Sequence, residues 1–191
     1  MRRVAVRHLA LFIVLAALCI GIQLAPRPAN VEFTSLITFL AGAVLGMSFG
    51  VGLGALVMLV NGFVSPFGVS GLLLPFQIIG MAMAGIGGGL YRRSRGGSYD
   101  TTSCLETAVL GAFLALGYDA ITNFGWAMPT ILSGQPAFPT FVGVFVFGAF
   151  FSLIHVVSNT ILFGTAFVPV TNALQKLLGG EQVWKKEFPP T

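Results

Sequence analysis

Residues 33–64 read FTSLITFLAGAVLGMSFGVGLGALVMLVNGFV and contain no charged residue. A membrane-crossing helix needs about 20 apolar residues, so this stretch is too long for one crossing and short for two. The flanking charges arbitrate. Arg2, Arg3 and Arg7 hold the N-terminus in the cytoplasm, because loops rich in Lys and Arg stay inside. The first apolar segment then leads outward and leaves Arg27 and Glu32 outside. If 33–64 were one helix, the next crossing would carry Arg92, Arg93 and Arg95 to the outside, against the rule at its strongest cluster. A hairpin turning near Gly46–Gly50 returns that cluster to the cytoplasm. It also brings Lys176, Lys185 and Lys186 inside, and of the basic residues only Arg27 stays out.

Working outward from the hairpin, the expected fold is an all-α integral membrane protein with six transmembrane helices and both termini cytoplasmic. The chain reads as a single membrane domain, 1–191, with spans near 8–24, 33–46, 48–64, 76–91, 104–124 and 140–169. The first hairpin arm is short, so it must be buried among other helices or thin the bilayer locally. The first segment is expected to be a retained helix rather than a signal peptide, since Ala25-Pro26-Arg27-Pro28 is not a small-x-small cleavage site.

Composition agrees with a bilayer setting. The 191 residues are 55% hydrophobic and 8% charged, with a mean hydropathy of +0.91. Soluble domains carry about 25% charged residues. The net charge of +4 sits in short clusters beside apolar segments, which is orientation signal rather than a nucleic-acid footprint. Cys19 and Cys104 have neither zinc nor disulfide spacing and read as apolar packing residues.

Small residues recur at spacing four: Gly42, Gly46, Gly50 and Gly54; Gly80, Ala84 and Gly88; Ala17, Gly21 and Ala25. Such faces let helix backbones approach closely in lipid. They serve packing within the chain or docking onto another membrane subunit.

The polar residues inside or beside apolar segments are the candidates for chemistry. Asp119 is the acidic residue in the outer part of the predicted 104–124 span, and ionisable groups there are costly and functional by default. Asn123 lies one turn on. Asp119 either faces a ligand or bonds a neighbouring helix, and the residues leave both readings open. His155 and Asn159 form a second stripe, with Ser152 alongside, whose default role is an interhelical hydrogen bond. A His–Ser pair on one helix lacks the geometry of nucleophilic catalysis, and one His makes a poor metal site. No catalytic residue, metal or cofactor is expected. Outer loops around 25–32, 65–75 and 123–139 are rich in Pro, Gly and aromatics, which suits an amphipathic small molecule. On this topology Asn30, Asn61, Gln77, Asp119, Asn123 and Trp126 converge at the outer helix ends and form the expected ligand site. Glu32 is expected to favour the N-terminus of the second helix.

The segments Asn30-Val31-Glu32-Phe33-Thr34-Ser35-Leu36-Ile37 through Leu40-Ala41-Gly42, Asn61-Gly62-Phe63-Val64-Ser65-Pro66-Phe67-Gly68 and Tyr118-Asp119-Ala120-Ile121-Thr122-Asn123 resemble the S component of energy-coupling factor (ECF) importers. The resemblance spans roughly residues 5–175. It implies a prokaryotic plasma-membrane protein that binds a vitamin or precursor, such as cobalamin, at the extracellular face. It further implies docking onto a transmembrane coupling subunit served by two ATPases. The chain has no GxxxxGK[ST] of its own. The family docks through an alanine-x-x-x-alanine motif on helix one; here the nearest match is Ala17-x-x-x-Gly21, so Ala17 and Gly21 are the expected docking residues. The rival expectation is a self-contained channel or secondary porter.

Overall fold

The computed structural model describes residues 2–66 and 68–177; Phe67, Lys185 and Lys186 lie outside them. Six α-helices follow one another: α1 (Arg2–Leu24), α2 (Thr34–Leu45), α3 (Met47–Val64), α4 (Leu74–Arg95), α5 (Thr101–Leu132) and α6 (Ala137–Leu177), with a 3-10 turn at Gly71–Leu73. Among the described residues there is no strand. Four helical segments are long and apolar enough to cross a membrane: Met47–Val64, Gly71–Arg95, Thr101–Leu132 and Ala137–Lys176. The apolar part of α1 and α2 are shorter.

The 33–64 stretch is a hairpin broken at a single residue, Gly46, whose φ of 110° and ψ of 160° a side chain would not tolerate. α2 has 12 residues, so it is about 18 Å long, well short of a hydrocarbon core of about 30 Å. Burial resolves the mismatch, since every residue from Thr34 to Leu45 is buried. α2 is the centre of the bundle. One of its faces joins Leu15, Cys19, Leu53, Val57 and Met81 in a core that ties α1, α3 and α4 together. The other puts Leu36, Phe39 and Leu40 against Tyr91, Phe163 and Phe167 of α4 and α6.

Glycines set how closely these helices approach. A Cβ on Gly42 would lie 2.2 Å from the Gly85 carbonyl oxygen, and one on Gly50 would lie 2.8 Å from the Gly42 backbone. Gly54 and Gly88 meet Met81 and Phe39 backbone in the same way. These runs therefore serve packing within the chain. The run on α1 does not: Ala17, Gly21 and Ala25 are exposed, and nothing lies within 4 Å of a Cβ built on Gly21.

Several boundaries differ from those the sequence predicted. Residues 125–139 do not form a loop. α5 runs on to Leu132 with Pro129 inside it, and α6 begins at Ala137, which leaves 133–136 as the connection. Pro139 falls in the first turn of α6, where a missing N–H costs nothing because those donors have no intrahelical partner. With 32 and 41 residues, α5 and α6 are about 48 and 61 Å long, longer than any bilayer core. The outward face of α6, including Val146, Phe150 and Leu153, is exposed and apolar, as lipid contact requires.

The arginine cluster sits at the end of α4 away from Gln77. Arg92 is buried rather than projecting outward: its Nη1 donates to the Val44 carbonyl at 3.0 Å. That places a cation on the C-terminal carbonyls of α2, where the helix dipole favours it. Arg95 pairs with Glu106 of α5. Asp100 caps α5 by accepting from the Ser103 N–H at 3.0 Å, which holds its carboxyl below the usual carboxylate range.

Candidate functional site

A cavity of about 860 Å³ opens at the opposite end of the bundle from the arginine cluster. Five of the six helices contribute to its wall; α2 does not, but the connection that precedes it supplies Ala29, Asn30 and Glu32. Its deep members are the buried Glu32, Met58, Met81, Asp119 and His155. Its open side is marked by the exposed Gly68, Val69, Trp126 and Thr130.

The α1–α2 connection is built around Asn30, which has a φ of 60°, a left-handed conformation that Asn tolerates better than most residues. Its Nδ2 donates to the Phe151 carbonyl at 3.0 Å, and its own carbonyl accepts from Ser158 Oγ at 3.2 Å. This double tether to α6 lays the connection across the bundle end and delivers Glu32 inward. Glu32 then accepts from the Ser35 N–H at 3.1 Å and from Ser35 Oγ, which puts its charge at the N-terminus of α2, where the helix dipole favours it.

Glu32 also does something the sequence did not indicate. His155 of α6 places Nδ1 2.8 Å from Asp119 Oδ1 and Nε2 3.4 Å from Glu32 Oε1. One imidazole thus bridges two buried carboxylates from separate segments. Only the imidazolium can donate to both; a neutral ring donates to one. Burial raises the Glu32 carboxyl, but hydrogen bonds from His155 and Ser35 outweigh it and hold it well below the usual carboxylate range. The Tyr118 ring stands edge-on to His155, with centroids 5.6 Å apart, and seals one side of the chain of ionisable groups.

The other polar wall comes from the end of α1 and the residues that follow it. Gln23 Nε2 donates to Thr34 Oγ1 at 2.7 Å. Arg27 donates from Nη1 to the Val31 carbonyl at 3.0 Å and from Nη2 to Gln23 Oε1. Three acceptor oxygens in the cavity are buried without a hydrogen-bond partner: Asn61 Oδ1, Gln77 Oε1 and Asp119 Oδ2.

The six residues predicted to converge, Asn30, Asn61, Gln77, Asp119, Asn123 and Trp126, all line this one cavity. They are not equivalent. Asn30 spends its amide on the α6 backbone. Asn123 packs beside Gly148, where a Cβ would lie 3.1 Å from its Oδ1. Trp126, 62% exposed, stands on α5 rather than in a loop. Asp119 bonds a neighbouring helix through Oδ1, 2.8 Å from His155 Nδ1, and is also among the residues that line the cavity, with Oδ2 buried and unpartnered. Asn159, by contrast, donates to the His155 carbonyl of its own helix at 3.1 Å and does not line the cavity. Sequence reasoning missed Glu32, His155, Gln23 and Arg27 as cavity residues. The signal for His155 was its place in a polar stripe on an apolar helix; nothing local marked its partners.

His155 uses both ring nitrogens on carboxylates, and Ser158 Oγ bonds the backbone oxygens of Asn30 and His155. The pair therefore lacks the geometry of a nucleophile and its base. Among the described residues no three His, Cys, Asp or Glu side chains could hold a metal ion. The arrangement is a cavity of about 860 Å³ with a polar floor held by Glu32, Asp119 and His155. Comparison with known proteins finds no matching family model, curated protein or solved structure.

Proposed function

We propose that this chain is the substrate-binding S component of an ECF-type importer in the plasma membrane of a prokaryote. It crosses the membrane six times with both termini cytoplasmic, takes a vitamin or related micronutrient from the extracellular side, and passes it on through a coupling subunit driven by two ATPases. The observation that carries this reading is the cavity, which lies at the end of the bundle away from the arginine cluster. Its volume of about 860 Å³ is in the range that encloses a drug-sized molecule. A corrinoid such as cobalamin would fill it and protrude past Val69 and Trp126; a smaller vitamin would be enclosed. The exposed stripe of Ala17 and Gly21 is the proposed docking face, because small residues left exposed by the described helices can admit another helix.

Two experiments test this. The topology expects Ser98→Cys, at the exposed loop after α4, to resist an impermeant thiol reagent in intact cells and to react after permeabilisation. Efficient labelling of intact cells would reverse the orientation. The docking face expects Gly21→Trp to abolish uptake and co-purification of ATPase subunits while ligand affinity stays within about twofold, since a bulky ring blocks helix approach. Normal uptake in that variant would remove α1 as the docking surface.

A self-contained porter is the second reading, favoured by the Glu32–His155–Asp119 chain, because ionisable groups within a membrane bundle serve as proton relays. Uptake that persists in reconstituted vesicles without any ATPase would select it.

A further inference from the structure

We propose that the ligand of the cavity is an organic cation bearing N–H donors, an ammonium, amidinium or protonated aminoheterocycle, seated with its donor on Asp119 Oδ2. The inference rests on the reading of the cavity as a small-molecule site and names the class of molecule that site selects.

Asp119 is only 7% exposed, and its two oxygens are used unequally. Oδ1 faces His155 Nδ1 at 2.8 Å. Oδ2 is buried with no partner, although it belongs to a residue lining a cavity large enough for a ligand. A buried polar atom without a partner is costly in a native protein and calls for an explanation. A carboxylate accepts hydrogen bonds and cannot donate them, so the group that completes this site must bring the proton. Asn61 Oδ1 and Gln77 Oε1 are also buried and unpartnered. Either amide can turn its N–H₂ or its oxygen to a ligand, so Asp119 decides the sign and the amides accommodate it.

The charge balance points the same way. Among the described residues lining the cavity, Arg27 is the only arginine or lysine, and it donates to Gln23 and to the Val31 carbonyl. Glu32 and Asp119 share the single His155 between them. A carboxylate or phosphate placed against Asp119 Oδ2 would meet a like charge, because the His155 ring sits on the other oxygen and is shared with Glu32. A cation would complete the floor and also face the ring of Tyr118 and, nearer the opening, those of Trp126 and Phe147, which attract positive charge through their π faces.

The test uses the purified full-length protein in lipid nanodiscs made of uncharged-net phosphatidylcholine, with empty nanodiscs as the blank. Benzamidine, benzyl alcohol and benzoate are titrated separately, and each dissociation constant is read from ligand-observed NMR. These probes share one ring and differ in charge and donor count. Benzamidine is expected to bind at least tenfold more tightly than the other two. Asp119→Asn is expected to weaken benzamidine at least tenfold and to leave benzyl alcohol unchanged. Benzoate binding as tightly as benzamidine overturns the proposal, and this comparison is made on the unaltered protein, so it does not depend on how a variant folds. An unchanged benzamidine constant in a folded Asp119→Asn protein overturns it too. Co-purification of the ATPase subunits is scored on the same preparations. Their presence together with a benzoate preference removes the cation assignment and leaves the importer reading standing. Their absence together with a benzamidine preference supports the cation assignment and counts against the importer reading.

Discussion

Gly85→Ala is expected to destabilise the protein by about 3 kcal/mol or more, at the upper end of what overpacking a core costs. A Cβ at Gly85 would lie 2.3 Å from the Gly50 carbonyl carbon and 2.5 Å from the Val51 nitrogen. Both atoms are backbone, so no side chain can swing aside, and α3 and α4 would have to separate. Their separation would also open the cavity, because Met58 of α3 and Met81 of α4 form part of its floor. Thermal unfolding of the detergent-solubilised protein measures the effect. Gly21→Ala is the control: with nothing within 4 Å of its added carbon, it should stay within about 0.5 kcal/mol of the parent. An unchanged melting temperature for Gly85→Ala would mean that α2, α3 and α4 do not meet at Gly42, Gly50 and Gly85.

His155→Ala is expected to cost about 3–5 kcal/mol, the penalty for removing one partner of a buried ionic group. The imidazole lies between Asp119 Oδ1 and Glu32 Oε1, both on carboxylates at least 90% buried. Without it, two acceptors face each other across a void with no donor between them. Adding Asp119→Asn to His155→Ala removes one of the stranded charges. The double variant should therefore be less destabilised than the sum of the two single variants, with a coupling of about 0.5–3 kcal/mol. Additive losses in melting experiments would show that the three residues do not act as a unit.

Much of this fold was legible along the chain. The uncharged run from Phe33 to Val64 demanded a turn, and charge placement chose one near Gly46 because a single helix would have misplaced the arginines. The hairpin breaks at Gly46, where a φ of 110° suits glycine alone. The spacing of Gly42, Gly50 and Gly54 also announced close helix contact, and those positions are where backbones meet. Residues 125–139 misled, because Gly125, Pro129, Gly134, Pro136 and Pro139 carry loop chemistry. Yet Pro139 is tolerated in a first turn, and Gly125 is needed where a Cβ would lie 2.6 Å from the Phe76 ring.

For the cavity, the sequence by itself determined which residue types were anomalous in an apolar environment: Asn61, Gln77, Asp119 and Asn123 stood out because each is costly among hydrocarbon neighbours. That anomaly is local and needs no partner to be seen. Which of them touch, and through what, was decided only by tertiary structure. Glu32 and His155 are separated by 123 residues and Asp119 and His155 by 36, so no periodicity relates them. Their meeting depends on the left-handed turn at Asn30, on the Asn30 tethers to α6, and on the pairing of α5 with α6 that sets Asp119 opposite His155. Sequence spacing reports neighbours on one helix face; the bridge from one imidazole to two carboxylates exists only where three segments are packed together.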